Sequence, residues 1–443
     1  MHKNVLILGA GLVSQPLIDY LFKHTEHILT VADVRLEQAD KAIHKHPRGL
    51  AKSLDVQDSR SVHQLVDTAD LVVSLLPYTL HTTVARHCVE LGKHMVNASY
   101  ISQDMQALDP MVKQKGLLFL CEMGLDPGLD HMSAMKIIHD VKEQGGEVYS
   151  FVSVCGGLPA PDANTNPFGY KFSWSPKGVL LAGNNSARYI EAGTEHEIPA
   201  RQLFHSTTPM QIDAFQLEAY PNRDSVSYKK VYGLDNIDLL MRGTLRYEGW
   251  HHYILALERL HMLEETPVAA GVTSFRELVA AQNNLDPDHI RTGVQALLEM
   301  DKSDPVLQAL DWLGLMNSAR QNFKGLTVLD ALAGLMSERM AYQPGERDMV
   351  VLQHEFKARY PDHEELITSS LIDYGIPNGP SAMARTVSLP LAIAVKMILE
   401  NKINLKGVQI PVHRQIYEPV LRELETAGIH FKEEIKRIES IEL

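Results

Sequence analysis

The chain has 443 residues, of which 45% are hydrophobic and 22% are charged, and its formal net charge is −13 at pH 7. This composition is that of an ordinary globular protein, and the length exceeds the roughly 250–300 residues that one hydrophobic core serves, so we expect two or three domains. The negative charge argues against non-specific binding to nucleic acid or to anionic membranes, and three cysteines are too few for a disulfide framework.

The N-terminal segment and the hydrophobic pattern predict neither a leader nor a membrane span. The apolar run Val5–Leu8 ends at Gly9, and no small-residue cleavage site follows it. Because no stretch of about 18 apolar residues is present, we expect no transmembrane helix. The 21 histidines are scattered, and without an HExxH or CxxC motif we expect no metal site. We therefore expect a cytoplasmic protein with no nucleic-acid or membrane partner.

The N-terminal region alternates short apolar strands with helices. Alternation at this spacing is typical of βαβ units, so it predicts a doubly wound, parallel Rossmann sheet. The predicted strands are 4–8, 27–32, 49–54, 70–76, 94–97 and 117–122, and the predicted helices are 12–23, 36–44, 61–66 and 81–91.

The pattern changes after residue 147. From there to residue 247, Gly, Pro, Asn and Ser are frequent, and segments such as 149–154 indicate strands of a second, mixed sheet. Helices dominate from 250 to 341, and a strand resumes at 349–352. The predicted fold class is therefore α/β with a helical part. The helices predicted in this half are 254–263, 275–282, 289–300, 329–340, 391–400 and 419–427.

The segment Gly9–Ser14, which reads GAGLVS, resembles a dinucleotide-binding fingerprint with Ser14 in the third glycine position. The first glycine permits a tight turn, and Gly11 lets the main chain approach a pyrophosphate at the start of a helix. Asp33 lies 22 residues after Gly11, at the end of the next strand, where an acid accepts hydrogen bonds from ribose hydroxyls. The alternative is a helix-capping turn in a Rossmann domain that binds no cofactor.

Asp33 and Arg35 lead to opposite expectations about the cofactor. The Asp33 carboxylate repels a 2′-phosphate and favours NAD, whereas Arg35 would neutralise the 2′-phosphate of NADP. We expect NAD, with NADP as the alternative. Further candidates lie where the third and fourth strands end, although each of these is also an ordinary strand terminus. The cofactor-binding residues predicted in this way are Gly9, Gly11, Leu12, Val13, Asp33, Arg35, Asp55, Val56 and Leu76.

Six further motifs occur in order along the chain. They are Ser99-Tyr100, Gly124–His131, Cys155–Pro161, Tyr170–Ser175, Tyr220–Asp224 and Arg242–Tyr247. Together with the later segments 345–348 and 381–384, they closely resemble the saccharopine dehydrogenase (glutamate-forming) family, also called saccharopine reductase. The resemblance covers essentially the whole chain.

The resemblance implies a reversible oxidation of saccharopine by NAD(P)⁺ and water to L-glutamate and L-2-aminoadipate 6-semialdehyde. Hydride leaves the carbon beside the secondary amine, and water hydrolyses the resulting imine. Because saccharopine has three carboxylates, its site needs fixed cations, for which Arg223, Arg246 and Lys171 are candidates. The alternative for each arginine is a surface salt bridge. The implied substrate-binding residues are Ser99, Tyr100, Asp126, Lys171, Arg223, Arg246 and Tyr247.

The catalytic candidates that the resemblance implies are Asp126, Tyr100 and Cys155. Asp126 precedes Pro127, a favoured first helical residue, so its alternative role is that of a helix N-cap. A cysteine before two glycines is often only a small buried residue. For Asp130-His131 we expect a solvated or capping role rather than a charge relay. The residues that the resemblance adds to the cofactor set are Ser99, Asp126, Pro127 and Gly128.

The resemblance also implies three domains and a small-molecule substrate. The Rossmann domain takes residues 1–124 and 385–443, an α/β substrate domain takes 125–245 and 342–384, and a helical domain takes 246–341. A homodimer is expected. Two other functions stay open: a carboxynorspermidine-type imine reductase of polyamine synthesis, whose site should carry acids in place of the two arginines, and a non-catalytic NAD-binding regulator.

Overall fold

The computed structural model describes residues 2–438. The chain divides into two compact units, each of which is assembled from separate segments. Unit 1 comprises Met1–Tyr149, Lys230–Leu234 and His354–Leu443, and unit 2 comprises Ser150–Lys229 and Asp235–Gln353. The division into three domains stays a prediction.

The strands and helices are labelled in chain order. The strands are β1 (Asn4–Leu8), β2 (Ile28–Asp33), β3 (Gly49–Ser53), β4 (Leu71–Ser74), β5 (His94–Asn97), β6 (Leu118–Leu120), β7 (Glu147–Pro159), β8 (Ala187–Glu191), β9 (Thr194–Ile198), β10 (Thr208–Ile212), β11 (Phe215–Pro221), β12 (Leu239–Tyr247), β13 (Asp348–Arg359), β14 (Glu364–Tyr374), β15 (Gly407–Gln409) and β16 (Lys432–Ile438). The helices are α1 (Gln15–His24), α2 (Leu36–Ala42), α3 (Ser59–Asp67), α4 (His81–Leu91), α5 (Gln103–Gln106), α6 (Asp109–Gln114), α7 (Leu129–Glu143), α8 (Pro176–Leu181), α9 (Tyr228–Tyr232), α10 (Trp250–Arg259), α11 (Phe275–Asn283), α12 (Ile290–Leu298), α13 (Pro305–Leu313), α14 (Val328–Arg339), α15 (Ala382–Leu399) and α16 (Arg414–Thr426).

Unit 1 is built on a seven-stranded parallel sheet with the order β15-β6-β5-β4-β1-β2-β3. The side chains of Val5–Leu8 in the central strand β1 are fully buried, as expected for a strand covered on both faces. The chain leaves β1 for β2 on one side and later returns to β4 on the other. The carboxyl ends of β1 and β4 therefore flank the point where a doubly wound sheet binds ligands.

Helix α15 corrects one expectation. It begins at Ala382 rather than at 391, and it continues through Pro390, directly before the predicted start. By length and composition α15 could cross a membrane, although it contains Arg385 and Lys396 and is not an unbroken apolar stretch. However, 78% of this segment is buried inside the protein, and α15 packs against α1 and α16 within unit 1.

Unit 2 contains a mixed sheet and a helical cluster. β12 is antiparallel to β11 and parallel to β7, β10 pairs with β11, and β8 pairs with β9 and β12. The helices from α10 to α14 bury their apolar faces in one hydrophobic core, which also includes Phe168, Tyr170 and Trp250. The predicted α/β fold class, with a Rossmann sheet, a mixed sheet and a helical part, is confirmed.

Candidate functional site

The glycine-rich loop lies between β1 and α1. Gly9 has a φ of 101°, and a Cβ there would lie 2.9 Å from the carbonyl oxygen of Leu75, so this position requires glycine. A Cβ on Gly11 would meet nothing within 4 Å, so the loop faces open space at this point. No described residue accepts a hydrogen bond from the N–H groups of Leu12 or Val13. This loop can therefore receive an anionic pyrophosphate.

The loop also shows why α1 starts later than predicted. Residues 11–14 form a turn, in which the Ser14 hydroxyl donates to the Gly11 carbonyl oxygen at 2.8 Å. α1 begins at Gln15, with Pro16 in its first turn, where the missing N–H of proline costs nothing. The predicted start at Leu12 is wrong, but its consequence for the site is favourable. The N–H groups before the helix stay available to a ligand.

Asp33 fixes this loop to the end of β2. One carboxylate oxygen accepts a hydrogen bond from the Ala10 N–H at 2.9 Å, and the other accepts one from the Arg35 N–H at 2.9 Å. The Arg35 side chain is exposed, and the salt bridges of the described residues do not include it. Asp33 therefore shapes the loop, while Arg35 is a free cation beside it.

The other predicted cofactor residues lie at neighbouring strand ends in unit 1. Asp55 is exposed and accepts a hydrogen bond from the Gln57 N–H at 2.9 Å, while Val56 is buried. Leu76 is half-buried against the hydrophobic core of the sheet. These three residues follow β3 and β4 at the same edge as the glycine loop. Their contact with a cofactor stays a prediction.

Ser99 lies at the end of a hydrogen-bonded chain that the sequence analysis missed. The Ser99 hydroxyl is 2.8 Å from Nε2 of His81, and Nδ1 of His81 is 2.8 Å from the hydroxyl of Ser74. Burial lowers the pKa of His81 to about 4, so the ring is neutral at pH 7 and bridges the two hydroxyls. His81 thus links the carboxyl end of β4 to the loop after β5.

A tight loop between β6 and α7 carries Asp126. A Cβ on Gly128 would lie 2.1 Å from the Gly124 carbonyl oxygen, so these two main chains touch. Asp126 precedes a cis peptide bond to Pro127, and its carboxylate accepts a hydrogen bond from the Tyr100 hydroxyl at 2.8 Å. The structure thus brings together two of the three predicted catalytic residues.

The N-cap role considered for Asp126 is wrong, because α7 begins at Leu129 and its N-cap is Gly128. Asp130 performs a related task instead, since its carboxylate accepts the Gly128 N–H at 2.6 Å. The capping expectation for Asp130 is therefore confirmed. The solvated alternative is wrong, because Asp130 and His131 are both buried.

Arg246 is the most unusual of the predicted cations, which lie in unit 2. Its side chain is buried, its Nη1 donates to the Leu245 carbonyl oxygen at 2.7 Å, and its Nε has no partner among the described residues. Aromatic rings surround it, with the guanidinium carbon 5.0 Å from the ring centre of Tyr170 and 5.9 Å from that of Trp250. The buried polar atoms Tyr170 Oη, Tyr220 Oη and Trp250 Nε1 also lack partners in the described chain.

Glu218 is the cross-strand neighbour of Arg246, but the two side chains form no ion pair. Glu218 on β11 pairs directly with Arg246 on β12, so both side chains lie on one face of the sheet. The Glu218 carboxylate, however, accepts the N–H groups of Gly249 and His251 at 3.0 and 2.8 Å and binds the His251 ring at 2.6 Å. Arg246 is therefore a buried cation that forms no ion pair with a carboxylate of the described chain.

The other predicted site residues of unit 2 differ in burial and in their hydrogen-bond partners. Lys171 is buried and pairs with Glu346 at 2.6 Å, so its charge is already balanced. Arg223 is exposed at the end of β11 with a φ of 55°. The Tyr247 hydroxyl donates to the Pro159 carbonyl oxygen at 3.0 Å, and Cys155 is a buried residue of β7.

The chain also contains three cysteines and a cluster of side chains that could ligate a metal ion. All three cysteines, Cys88, Cys121 and Cys155, are buried, and none of them forms a disulfide bond. Within residues 2–438, one group could hold a metal ion: His63, His87 and Glu90, whose ligand atoms lie within 4.8 Å of one another on α3 and α4. Glu90 is exposed, and exposed acidic groups of this kind are common without an ion.

Comparison with protein families identifies both halves of the chain. Residues 5–120 match the family model described as the saccharopine dehydrogenase NADP binding domain. Residues 124–429 match the model described as the saccharopine dehydrogenase C-terminal domain. The first description names NADP, so the expectation of NAD is not supported.

Individual relatives match along nearly the full length. The NADP(+)-dependent, L-glutamate-forming saccharopine dehydrogenase of Schizosaccharomyces pombe is 37% identical over 98% of this chain and 99% of its own. The bovine mitochondrial alpha-aminoadipic semialdehyde synthase is 38% identical over 97% of this chain, which spans 47% of the bovine protein. The structure of apo L-Glu-forming saccharopine dehydrogenase from Saccharomyces cerevisiae superimposes with a TM-score of 0.87 at 37% identity, covering 99% of this chain and 100% of that one.

Proposed function

Because the chain belongs to the saccharopine dehydrogenase family, we propose that it oxidises saccharopine with a nicotinamide dinucleotide and water to L-glutamate and L-2-aminoadipate 6-semialdehyde. The reverse reaction condenses the semialdehyde with glutamate and reduces the imine. The enzyme is thus an oxidoreductase of lysine metabolism that acts on a CH–NH group.

The observation that carries this proposal is the uncompensated charge of Arg246. A buried guanidinium without a carboxylate is costly, and a substrate carboxylate would remove that cost through two parallel hydrogen bonds. The hydroxyls of Tyr170 and Tyr220 and the indole N–H of Trp250 are further donors for an anion. A polycationic polyamine precursor would instead require acids at this position.

The roles of Asp126 and Tyr100 follow from their contact. Their hydrogen bond of 2.8 Å holds a carboxylate and a phenol together. A carboxylate attracts the secondary amine of the substrate and can accept its proton, and the phenol can pass a proton to or from water during imine hydrolysis. When bound, the nicotinamide accepts the hydride from the carbon beside that amine. Ser99, held by His81, would orient the substrate or the cofactor.

We further propose that NADP is the preferred cofactor. Both carboxylate oxygens of Asp33 accept main-chain N–H groups, which partly satisfies the charge that would otherwise repel a 2′-phosphate. Arg35 is exposed next to it and supplies the matching cation. The glycine loop fits a dinucleotide, because Gly11 faces open space in the turn that precedes α1.

An assay with purified protein, saccharopine and either NADP⁺ or NAD⁺ tests these proposals. We expect the reduced-nicotinamide absorbance to rise with NADP⁺ and to rise more slowly with NAD⁺. Turnover of carboxynorspermidine but not saccharopine would favour the polyamine reductase. Tight cofactor binding without turnover of either compound would favour the regulator. The homodimer and the cytoplasmic location stay predictions, of which the first is tested by light scattering of the purified protein.

A further inference from the structure

Glu122, a buried carboxylate that the sequence analysis did not select, brackets the loop that carries Tyr100. Its main-chain N–H donates to the carbonyl oxygen of Ser99 at 3.2 Å. Its side-chain Oε1 accepts the N–H of Ile101 at 3.0 Å. Glu122 therefore binds the residue before Tyr100 and the residue after it, and both contacts come from one residue in the segment that follows β6.

The other carboxylate oxygen of Glu122 enters a second buried contact. Oε2 lies 2.8 Å from Nε2 of His131 on α7, and Nδ1 of His131 lies 2.6 Å from the hydroxyl of Tyr232. All three side chains are at least nine-tenths buried. The network fixes the direction of the Glu122 carboxylate, because each of its oxygens is held by a different group.

The main chain of Glu122 has an unfavourable conformation that its contacts stabilise. Its φ is 57°, in the left-handed region that costs free energy for a residue with a long side chain. Such a conformation persists when surrounding contacts determine it, and it is common at functional sites. Here the contacts are those to Ser99, Ile101 and His131.

We infer that Glu122 is a positioning residue that holds the Tyr100 hydroxyl against the Asp126 carboxylate. This inference rests on the proposed function, because it assigns Glu122 to the reaction through Tyr100. Glu122 acts by fixing the main chain on both sides of Tyr100, and His131 and Tyr232 act by fixing Glu122. Loss of the Ile101 contact would release the loop and lengthen the hydrogen bond between Tyr100 and Asp126.

Two variants of similar size separate the loss of the hydrogen bond to Ile101 from the loss of the negative charge of Glu122. Glu122→Met removes both acceptor oxygens, whereas Glu122→Gln keeps one oxygen for the Ile101 N–H. We expect E122M to lower kcat with saccharopine about tenfold or more with an unchanged KM for NADP⁺, and E122Q to restore kcat to within about threefold of the original protein. The exposed Glu90→Gln serves as the matched control and should leave both constants unchanged.

A double-mutant cycle tests whether Glu122 acts through Tyr100. If it does, adding E122M to Tyr100→Phe will lower kcat little further, because the hydroxyl that Glu122 positions is already absent. Effects of E122M and Y100F that multiply would overturn the inference, as would equal kcat values for E122M, E122Q and the original protein.

A spectroscopic measurement keeps the inference testable if saccharopine is not the substrate or if E122M folds poorly. In the full-length protein with ¹³Cζ-labelled tyrosine, Y100F assigns the Tyr100 signal. We expect this signal to shift in E122M, or in Glu122→Ala if E122M aggregates, and to stay in place in E90Q. An unchanged Tyr100 signal in a folded Glu122 variant overturns the inference, whereas absent turnover in the original protein overturns only the proposed function.

Discussion

The polar groups at the sheet edge in unit 1 and those around Arg246 in unit 2 are satisfied to different degrees. In unit 1, the side chains of Asp33, Ser99 and Asp126 each form hydrogen bonds with neighbouring residues of the same unit. In unit 2, Arg246 Nε and the donors of two tyrosines and one tryptophan around it are buried without partners in the described chain. One region is fixed by its own contacts, and the other keeps donors for a ligand.

This contrast corresponds to two different tasks. Groups that take part in hydride and proton transfer must be held in one geometry before the substrate arrives, which hydrogen bonds within the protein achieve. A group that binds an anion gains most when that anion is its first partner, even though the unliganded protein is less stable as a result. Removing a polar group at the sheet edge of unit 1 should therefore destabilise the protein, whereas removing the charge of Arg246 should stabilise it.

The largest expected effect is that of Arg246→Met. Removing the guanidinium leaves a substrate carboxylate unpaired, so we expect kcat/KM for saccharopine to fall by at least about 100-fold, or roughly 3 kcal/mol. The unliganded protein should become more stable, by about 1–3 kcal/mol, because an apolar side chain replaces a buried charge. Steady-state kinetics and urea unfolding measure the two effects.

A control for this variant is Arg201→Met, which removes an exposed arginine that pairs with Glu264 at 3.0 Å. This change should leave kcat/KM unchanged and alter stability by no more than about 1 kcal/mol. A destabilised R246M with normal kinetics would show that Arg246 serves the fold of unit 2, and the contrast between the two regions would then fail.

The second prediction concerns His81, which belongs to the hydrogen-bonded sheet edge of unit 1. We expect the free energy of unfolding to depend on pH because of this residue. Burial lowers its pKa to about 4, whereas its ordinary value is 6.5, so the unfolded chain binds a proton that the folded chain does not. The stabilisation is complete above pH 6.5 and is lost as the pH falls towards 4, by roughly 3 kcal/mol in total. Urea unfolding of the original protein and of His81→Gln should therefore show curves that converge or cross as the pH falls. Parallel curves would contradict the assignment.

Much of unit 1 could be predicted from its sequence because strong local signals agree with its packing. Apolar runs ended by glycine or proline predicted β1 and β4, and both β5 and the helix over His81–Leu91 were predicted with their observed ends. α1 starts at Gln15 rather than at Leu12, and α5 and α6 were not predicted. Two further errors fell at prolines, since α15 and α16 continue through Pro390 and Pro419, close to the positions where we expected helices to begin. Tertiary burial outweighed the local preference there.

The site was predictable where a residue belongs to a motif, and less so where its role depends on distant contacts. Asp33 was found by its spacing from Gly11, and Asp126 by its motif. Glu122 and His81 carry no such spacing, because their partners lie on other strands and helices. Glu122 offered only the signal of a polar residue at the end of an apolar run, which ordinary strand ends share, and His81 is only the first residue of a helix.

A smaller effect is expected for Tyr100→Phe, which removes the hydrogen bond from the Tyr100 hydroxyl to Asp126 at the sheet edge of unit 1. Because Asp126 is half-buried, water can replace the lost hydroxyl, so we expect stability to change by less than about 1 kcal/mol. The kcat for saccharopine should fall about tenfold if the phenol transfers a proton. A Tyr360→Phe variant in the same unit should have no effect on kcat. An unchanged kcat in Y100F would restrict the role of Tyr100 to structure.

The smallest effect is expected for Arg35→Ala, which removes an exposed cation whose side chain takes no part in the hydrogen bonds of the sheet edge in unit 1. Arg35 is exposed, so its attraction to a 2′-phosphate is screened by water and salt, and its removal should weaken NADP⁺ binding by about fivefold to tenfold, or roughly 1 kcal/mol. NAD⁺ has no 2′-phosphate, so its affinity should not change, and neither should that of either cofactor in the exposed Lys41→Ala. The difference between R35A and the original protein should shrink as the salt concentration rises. Equal losses for NADP⁺ and NAD⁺ would contradict the assignment, because a cation that acts on the 2′-phosphate cannot change the affinity for a cofactor that lacks it.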